Sequence, residues 1–156
     1  MMNTLIVYAS KRGSTREIAE RIASYLTADL VDLSQNATPN LSSYDSVIIG
    51  ASVYAGGIHK LVKRFITQYA DEIQQKSFGL FVGGMSDKEV ETYFQENFPK
   101  RILQQAKATA FLGGVFDPKT SGAVLRFIMK VAIKQTEYLN TIDDRKIKDF
   151  VDEMEA

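Results

Sequence analysis

Leu5-Ile6-Val7-Tyr8-Ala9-Ser10-Lys11-Arg12-Gly13-Ser14-Thr15 is an apolar run that passes through a short hydroxyl-bearing loop straight into a helix pattern. A strand that ends at the start of a helix leaves the first backbone N–H groups of that helix without carbonyl partners and aims the positive end of its dipole at the loop. A phosphate is the natural occupant of such a point. Hydroxyls at Ser10, Ser14 and Thr15 suit phosphate oxygens, and Gly13 lets the backbone come close. The loop is not a Walker loop, because no Gly-Lys-Ser/Thr ends it, and it has one glycine where a dinucleotide fingerprint needs three. The competing reading is a plain strand-to-helix turn with Ser14 as N-cap and Glu17 closing a capping box.

Outward from this segment, apolar runs alternate with helical patterns. Strands are expected at Thr4–Ala9, Asp29–Leu33, Ser46–Gly50, Phe78–Val82 and Thr109–Leu112. Helices are expected at Ser14–Leu26, with Ile18, Ile22, Tyr25 and Leu26 on one face, and around Ile58, Leu61, Val62, Phe65, Ile66 and Tyr69. Another carries Ile147, Phe150, Val151 and Met154 at the end of the chain, and Leu41–Tyr44 suggests a brief helical turn. Ser46–Gly50 is too apolar for a half-exposed strand and belongs in the middle of a parallel sheet. The alternation predicts an α/β fold, doubly wound, with helices on both faces of a parallel sheet. With 156 residues and no linker, repeat or low-complexity stretch, residues 1–156 read as one domain.

Composition narrows the chemistry. Nineteen basic and nineteen acidic side chains cancel, so nothing suggests a nucleic-acid partner. With no cysteine and one histidine, His59, thiolate catalysis, disulfides and multi-histidine or cysteine metal sites are excluded. No apolar run reaches the roughly 20 residues that span a bilayer. The first strand begins too early to leave room for a signal peptide, so a cytoplasmic location is expected.

Ligands of doubly wound sheets sit at the carboxyl ends of the strands, where the winding reverses. Two further loops fall there. Ala51-Ser52-Val53-Tyr54-Ala55-Gly56-Gly57 sets a tyrosine before paired glycines, a combination suited to a flat ligand stacked on a ring. Gly83-Gly84-Met85-Ser86-Asp87 offers backbone groups to a ligand's edge, unless Ser86 or Asp87 merely caps the next helix.

Together these loops resemble those of the flavodoxin-like FMN proteins. Ser10, Gly13 and Thr15 match that family's first-loop pattern, Arg12 departs from its usual hydroxyl, and Tyr44–Gly50 is similar to its lead into the central strand. The closest likeness is to the menaquinone-dependent protoporphyrinogen oxidase branch. Thr15–Ala19, Ile49–Val53 with the spacing to His59, and Phe127–Lys130 followed by Thr136-Glu137 and Asp143 carry it. The resemblance implies a flavodoxin-like five-stranded parallel sheet of order 2-1-3-4-5 that binds FMN. Ser10, Lys11, Arg12, Gly13, Ser14 and Thr15 would wrap the phosphate, with Lys11 and Arg12 adding charge. Ser52, Val53, Tyr54, Ala55, Gly56 and Gly57 would flank the isoalloxazine on one side, and Gly83, Gly84 and Met85 on the other.

The implied activity is that of an FMN-dependent, quinone-linked oxidoreductase of the protoporphyrinogen-dehydrogenase type, serving heme biosynthesis with a quinone or porphyrinogen-type small molecule as partner. The alternative is a flavodoxin that only carries electrons between redox proteins. His59 is a candidate proton relay or, equally in keeping with its position, a residue at a helix start with no chemistry. No carboxylate pair or nucleophile–base motif stands out, which suits a protein whose cofactor performs the redox step.

Two segments remain. Lys88–Ala106 is an insertion expected to shape the substrate opening. Ala123–Lys134 carries only three charges, Arg126, Lys130 and Lys134, along one edge of an otherwise apolar helix. Three readings stay open for it: a helix sunk between other elements, a homo-oligomer interface, or a helix lying on the inner face of a membrane.

Overall fold

The computed structural model describes residues 3–10, 13–54 and 56–156, with the side chain of Ile133 left aside. Lys11, Arg12 and Ala55 lie outside the described residues, and the expectations placed on them are not addressed by it. Five strands form a parallel sheet in the order β2-β1-β3-β4-β5: β1 (Thr4–Ala9), β2 (Asp29–Asp32), β3 (Ser46–Ser52), β4 (Ser77–Gly83) and β5 (Ala108–Phe111). The order 2-1-3-4-5 expected above is the one observed. β1, β3 and β4 are buried almost throughout, whereas β2 at one edge is half-exposed. This is the physical reason the central strands read as continuous apolar runs.

The period-two alternation of the strands splits the core into two layers. Leu5, Val7, Val47, Ile49, Leu80 and Val82 face one side, where α2 (Lys60–Gln74) packs with Val62, Phe65 and Ile66 and α4 (Lys100–Gln105) adds Ile102. Ile6, Tyr8, Ile48 and Phe81 face the other, against Ile18 and Ile22 of α1 (Ser14–Leu26) and Ile147, Phe150 and Met154 of α6 (Asp144–Glu155). α3 (Val90–Asn97) precedes α4 within the insertion, and Pro99 starts α4 where it breaks the pattern in the sequence.

Several expectations need correction. Gly13, not Ser14, is the N-cap of α1, and no side chain caps it. Glu17 instead pairs with Arg21 at 3.0 Å. Leu41–Tyr44 makes a single hydrogen-bonded turn, Tyr44 N–H to Leu41 O at 3.1 Å, rather than helix. β2 stops at Asp32, whose carboxylate accepts the Ser34 N–H and turns the chain, although Leu33 still donates to Tyr8 O at 2.8 Å. β5 is shifted one residue earlier than expected, and Ile58 precedes α2 while remaining buried.

The largest departure follows β5. The chain leaves the sheet through a small antiparallel hairpin, β6 (Val115–Phe116) with β7 (Leu139–Asn140). Between its arms runs α5 (Ala123–Ile128), which continues as a π-helical turn over Met129–Ile133. Met129 is buried, but Val124, Phe127 and Val131 are 62, 67 and 61% exposed. A helix sunk between other elements is therefore ruled out. No helix among the described residues is long and apolar enough to cross a membrane.

Candidate functional site

The loops after β1, β3, β4 and β5 converge on one cleft of about 500 Å³ at the carboxyl ends of the strands. That volume is within the ~300–1,000 Å³ that a single organic ligand occupies. The β1 side contributes Ala9, Ser10 and Ser14; the β3 side Ser52, Val53, Tyr54 and Gly57 to Lys60; the β4 side Gly84 and Met85. Gly114, Val115 and Leu125 close it from the excursion after β5. The lining holds no carboxylate, so an anion entering among these described residues meets no like charge.

At the β1 end the geometry is that of an anion cradle. Gly13 has φ +89°, a conformation that costs an L side chain about 1–2 kcal/mol, and its N–H donates to Ser10 Oγ at 2.7 Å. This turn delivers the chain directly into α1. The first helical bond there runs from Glu17 N–H to Gly13 O, so the N–H groups of Ser14, Thr15 and Arg16 have no helix carbonyl to bond. Thr15 itself is fully buried. Its hydroxyl bonds the hydroxyl of Ser52, which ties the first loop to the second and leaves only its backbone for a ligand.

The second loop folds on itself, with Tyr54 and Gly57 exchanging backbone hydrogen bonds at 2.7 and 3.0 Å. Tyr54 is 42% exposed at the cleft rim. Gly56 sits behind the rim rather than on it. Its carbonyl accepts from Nδ2 of the buried Asn97 at 2.9 Å, and Asn97 also holds Tyr93 O. This is the insertion's link to the site: no residue of Lys88–Ala106 lines the cleft itself. The expectation that this insertion borders the opening is therefore replaced by an indirect role, the support of the Tyr54–Gly57 loop. The cleft is walled instead by the later excursion.

Of the two glycines at the end of β4, Gly84 lines the cleft and Gly83, the last residue of the strand, does not; the Gly83 carbonyl accepts the Val53 N–H at 2.7 Å. The Gly113-Gly114 pair ends the fifth apolar run in the sequence, but nothing there marked Gly114 as cleft wall. Only the backbone crossing, Gly84 N–H to Gly113 O at 3.0 Å, puts it there. Lys60, Ile58 and Leu125 likewise carry no local signal.

His59 is the N-cap of α2, and its Nδ1 accepts the Leu61 N–H at 3.1 Å. With Nδ1 so engaged, a neutral ring carries its proton on Nε2. The capping role makes a clear prediction. His59→Ala should cost about 1 kcal/mol of stability in urea denaturation, and His59→Asn, which also caps, should restore most of it. An alanine variant of unchanged stability would contradict the cap.

A doubly wound sheet with free helix-start N–H groups at its first strand–helix turn and a cleft beside it at the carboxyl ends of the strands is the setting in which proteins of this class hold phosphorylated ligands. The chain belongs to the flavodoxin domain family, whose model matches residues 5–142. It is similar to the protoporphyrinogen IX dehydrogenase (quinone) of Escherichia coli K12, with 35% identity over 77 residues, which are 46% of this chain and 42% of that protein. The protein of the same name from Leishmania major is 24% identical over an alignment of 149 positions that covers 85% of this chain and 64% of that one. The matched stretch thus spans about two-fifths to two-thirds of these relatives. Among solved structures, a flavoprotein from Bacteroides eggerthii superposes over 100% of this chain and 99% of its own, with TM-score 0.63 and 12% identity. A Fusobacterium nucleatum flavodoxin bound to flavin mononucleotide superposes over 99 and 98%, with TM-score 0.59 and 13% identity. These likenesses concern the fold.

Proposed function

We propose that this chain binds FMN in the cleft and acts as a quinone-linked oxidoreductase on a porphyrinogen-type small molecule. The observation that carries the cofactor is the joining of an anion cradle at Gly13–Arg16 to an acid-free cleft with a tyrosine at its rim. In this reading the helix-start N–H groups, with the hydroxyls of Ser10 and Ser14, bind the phosphate. Val53, Tyr54 and Gly57 flank one side of the ring and Gly84 and Met85 the other. Bound FMN supplies the transfer of electrons from reduced substrate to acceptor. The protein's own contribution is orientation and exclusion of water. The relatives named protoporphyrinogen IX dehydrogenase (quinone) support the substrate class.

Support for an enzyme over a carrier comes from the excursion after β5, which walls the cleft with Val115 and Leu125 and leaves an apolar, cationic helix beside it. A carrier would dock protein partners there.

The test is a visible spectrum with added FMN, followed by anaerobic turnover with protoporphyrinogen and a menaquinone analogue. Flavin bands and turnover are expected. Flavin that reduces without turnover would make the protein a carrier, and absence of flavin bands after FMN addition would remove both readings.

A further inference from the structure

We infer that the outer face of α5 and its π-helical extension is a docking surface for an anionic lipid bilayer, on the far side of the helix that walls the cleft through Leu125. The sequence pattern left three readings for this helix, and the structure removes burial. Val124, Phe127 and Val131 follow one another at i, i+3 and i+7, so they share one side of the helix, and all three are more than half exposed. The opposite side carries Met129, which is buried, and Leu125, which lines the cleft. One side of the helix is therefore cleft wall and the other is apolar surface in water.

Charge selects the occupant. Arg126, Lys130 and Lys134 are exposed along the edge of that apolar face, and none has an ion-pair partner among the described residues. From Pro118 to Thr136 the sequence contains four cations and no acid, in a chain whose charges cancel overall. The rest of the molecule is net negative, so the positive field is concentrated on this excursion. A second copy of the chain would bring these cations face to face across a two-fold axis with no acid between them, an arrangement that opposes association. An apolar strip edged by cations instead matches the boundary between headgroups and acyl chains, where the apolar side chains enter and the cations meet anionic headgroups. Tyr138, also exposed, stands just beyond the helix, and tyrosine is a residue that such boundaries favour.

The β6–β7 hairpin ties both ends of the excursion to the cleft wall, so docking would hold the bilayer against the outer side of that wall. The consequence for catalysis, a lipid-borne quinone held close to the cleft, rests on the function proposed above. The docking itself does not depend on it.

The experiment is co-sedimentation of the full chain with vesicles of phosphatidylcholine alone or with about 30% phosphatidylglycerol, read with and without FMN. Two surface variants accompany it: Arg126→Gln/Lys130→Gln/Lys134→Gln, and Phe127→Ser/Val131→Ser. Binding to the anionic vesicles only is expected. The triple variant should weaken it on the order of 100-fold, and the apolar pair about tenfold or more. Thermal melts of both variants should match the parent, because every changed side chain is exposed. Absence of binding to anionic vesicles would overturn the inference. So would a dimer in light scattering that the Phe127→Ser/Val131→Ser variant dissociates, since the face would then be a subunit interface. Failure to bind FMN would sink the redox reading and leave the vesicle result standing on its own.

Discussion

Ser14→Asp is expected to weaken FMN binding on the order of 100-fold while leaving the fold as stable as the parent. Ser14 is the first residue of α1 and lines the cleft beside the Gly13 turn. A carboxylate at the first position of a helix is favourable to the helix itself, by about 0.3–1 kcal/mol, because it lies at the positive end of the dipole. The same carboxylate would occupy the N–H groups proposed to hold the phosphate and repel a dianion at close range. At an effective dielectric near 20 that repulsion amounts to a few kcal/mol, hence the expected loss of about two orders of magnitude in Kd. Stability and binding thus move apart, which separates loss of a ligand contact from loss of structure. A fluorescence titration with FMN, repeated with riboflavin, measures it. Riboflavin lacks the phosphate and should bind parent and variant alike. Equal FMN affinities in the two proteins would show that the phosphate lies elsewhere.

The second large effect is on folding. Gly113→Ala should lower stability by about 3–4 kcal/mol, enough to remove a large part of the 5–15 kcal/mol available to a domain of this kind. Gly113 has φ +89°, and a Cβ built on it would lie 2.1 Å from Thr141 O. Neither side can move cheaply. Thr141 N–H donates to Gly114 O at 2.8 Å, the Gly114 N–H donates to Thr141 Oγ1 at 3.1 Å, and Gly113 O accepts the Gly84 N–H at 3.0 Å. Strain from the positive φ and the overlap with fixed backbone therefore add. Urea denaturation with and without FMN checks the value. Gly114 and Val115 line the cleft, so FMN should restore part of the lost stability if the variant still binds it. A loss below about 1 kcal/mol would mean that the crossing of Gly113 and Thr141 relaxes without penalty.

How far these features could be read without coordinates depended on whether their cause was local. β1, α1 and the central strand β3 were legible, nearly to the residue, because each is specified by its own period and by apolar runs that need burial on both faces. The first strand–glycine–helix turn was legible for the same reason: a strand, a glycine and a helix start are adjacent in sequence. The competing capping-box reading of α1 rested on the Ser-x-x-Glu spacing, and it fails because the chain enters the helix through a left-handed Gly13 that puts Ser14 inside it. His59 was open between relay and helix start. Its cap to Leu61 gives it a structural role without excluding it from the cleft wall. The residues Gly114, Val115 and Leu125 escaped notice because they reach the cleft through a hairpin whose two-residue arms are too short to show any period.

The sequence by itself determined the layered α/β architecture, the central position of β3 and the place of the first strand–glycine–helix turn, since these follow from alternation, burial and chain adjacency. Tertiary structure alone decided which loop walls the cleft and which helix faces water. Lys88–Ala106 and Ala123–Lys134 are both helical segments with an apolar face near the site, and nothing in their own patterns says which packs inward. Ile102 and Phe94 found space against the core beneath the sheet, whereas β6 and β7 lift α5 away from it and leave Val124, Phe127 and Val131 outside. An amphipathic pattern specifies that a face seeks an apolar partner. Whether the protein supplies that partner depends on the volume left by elements distant in sequence.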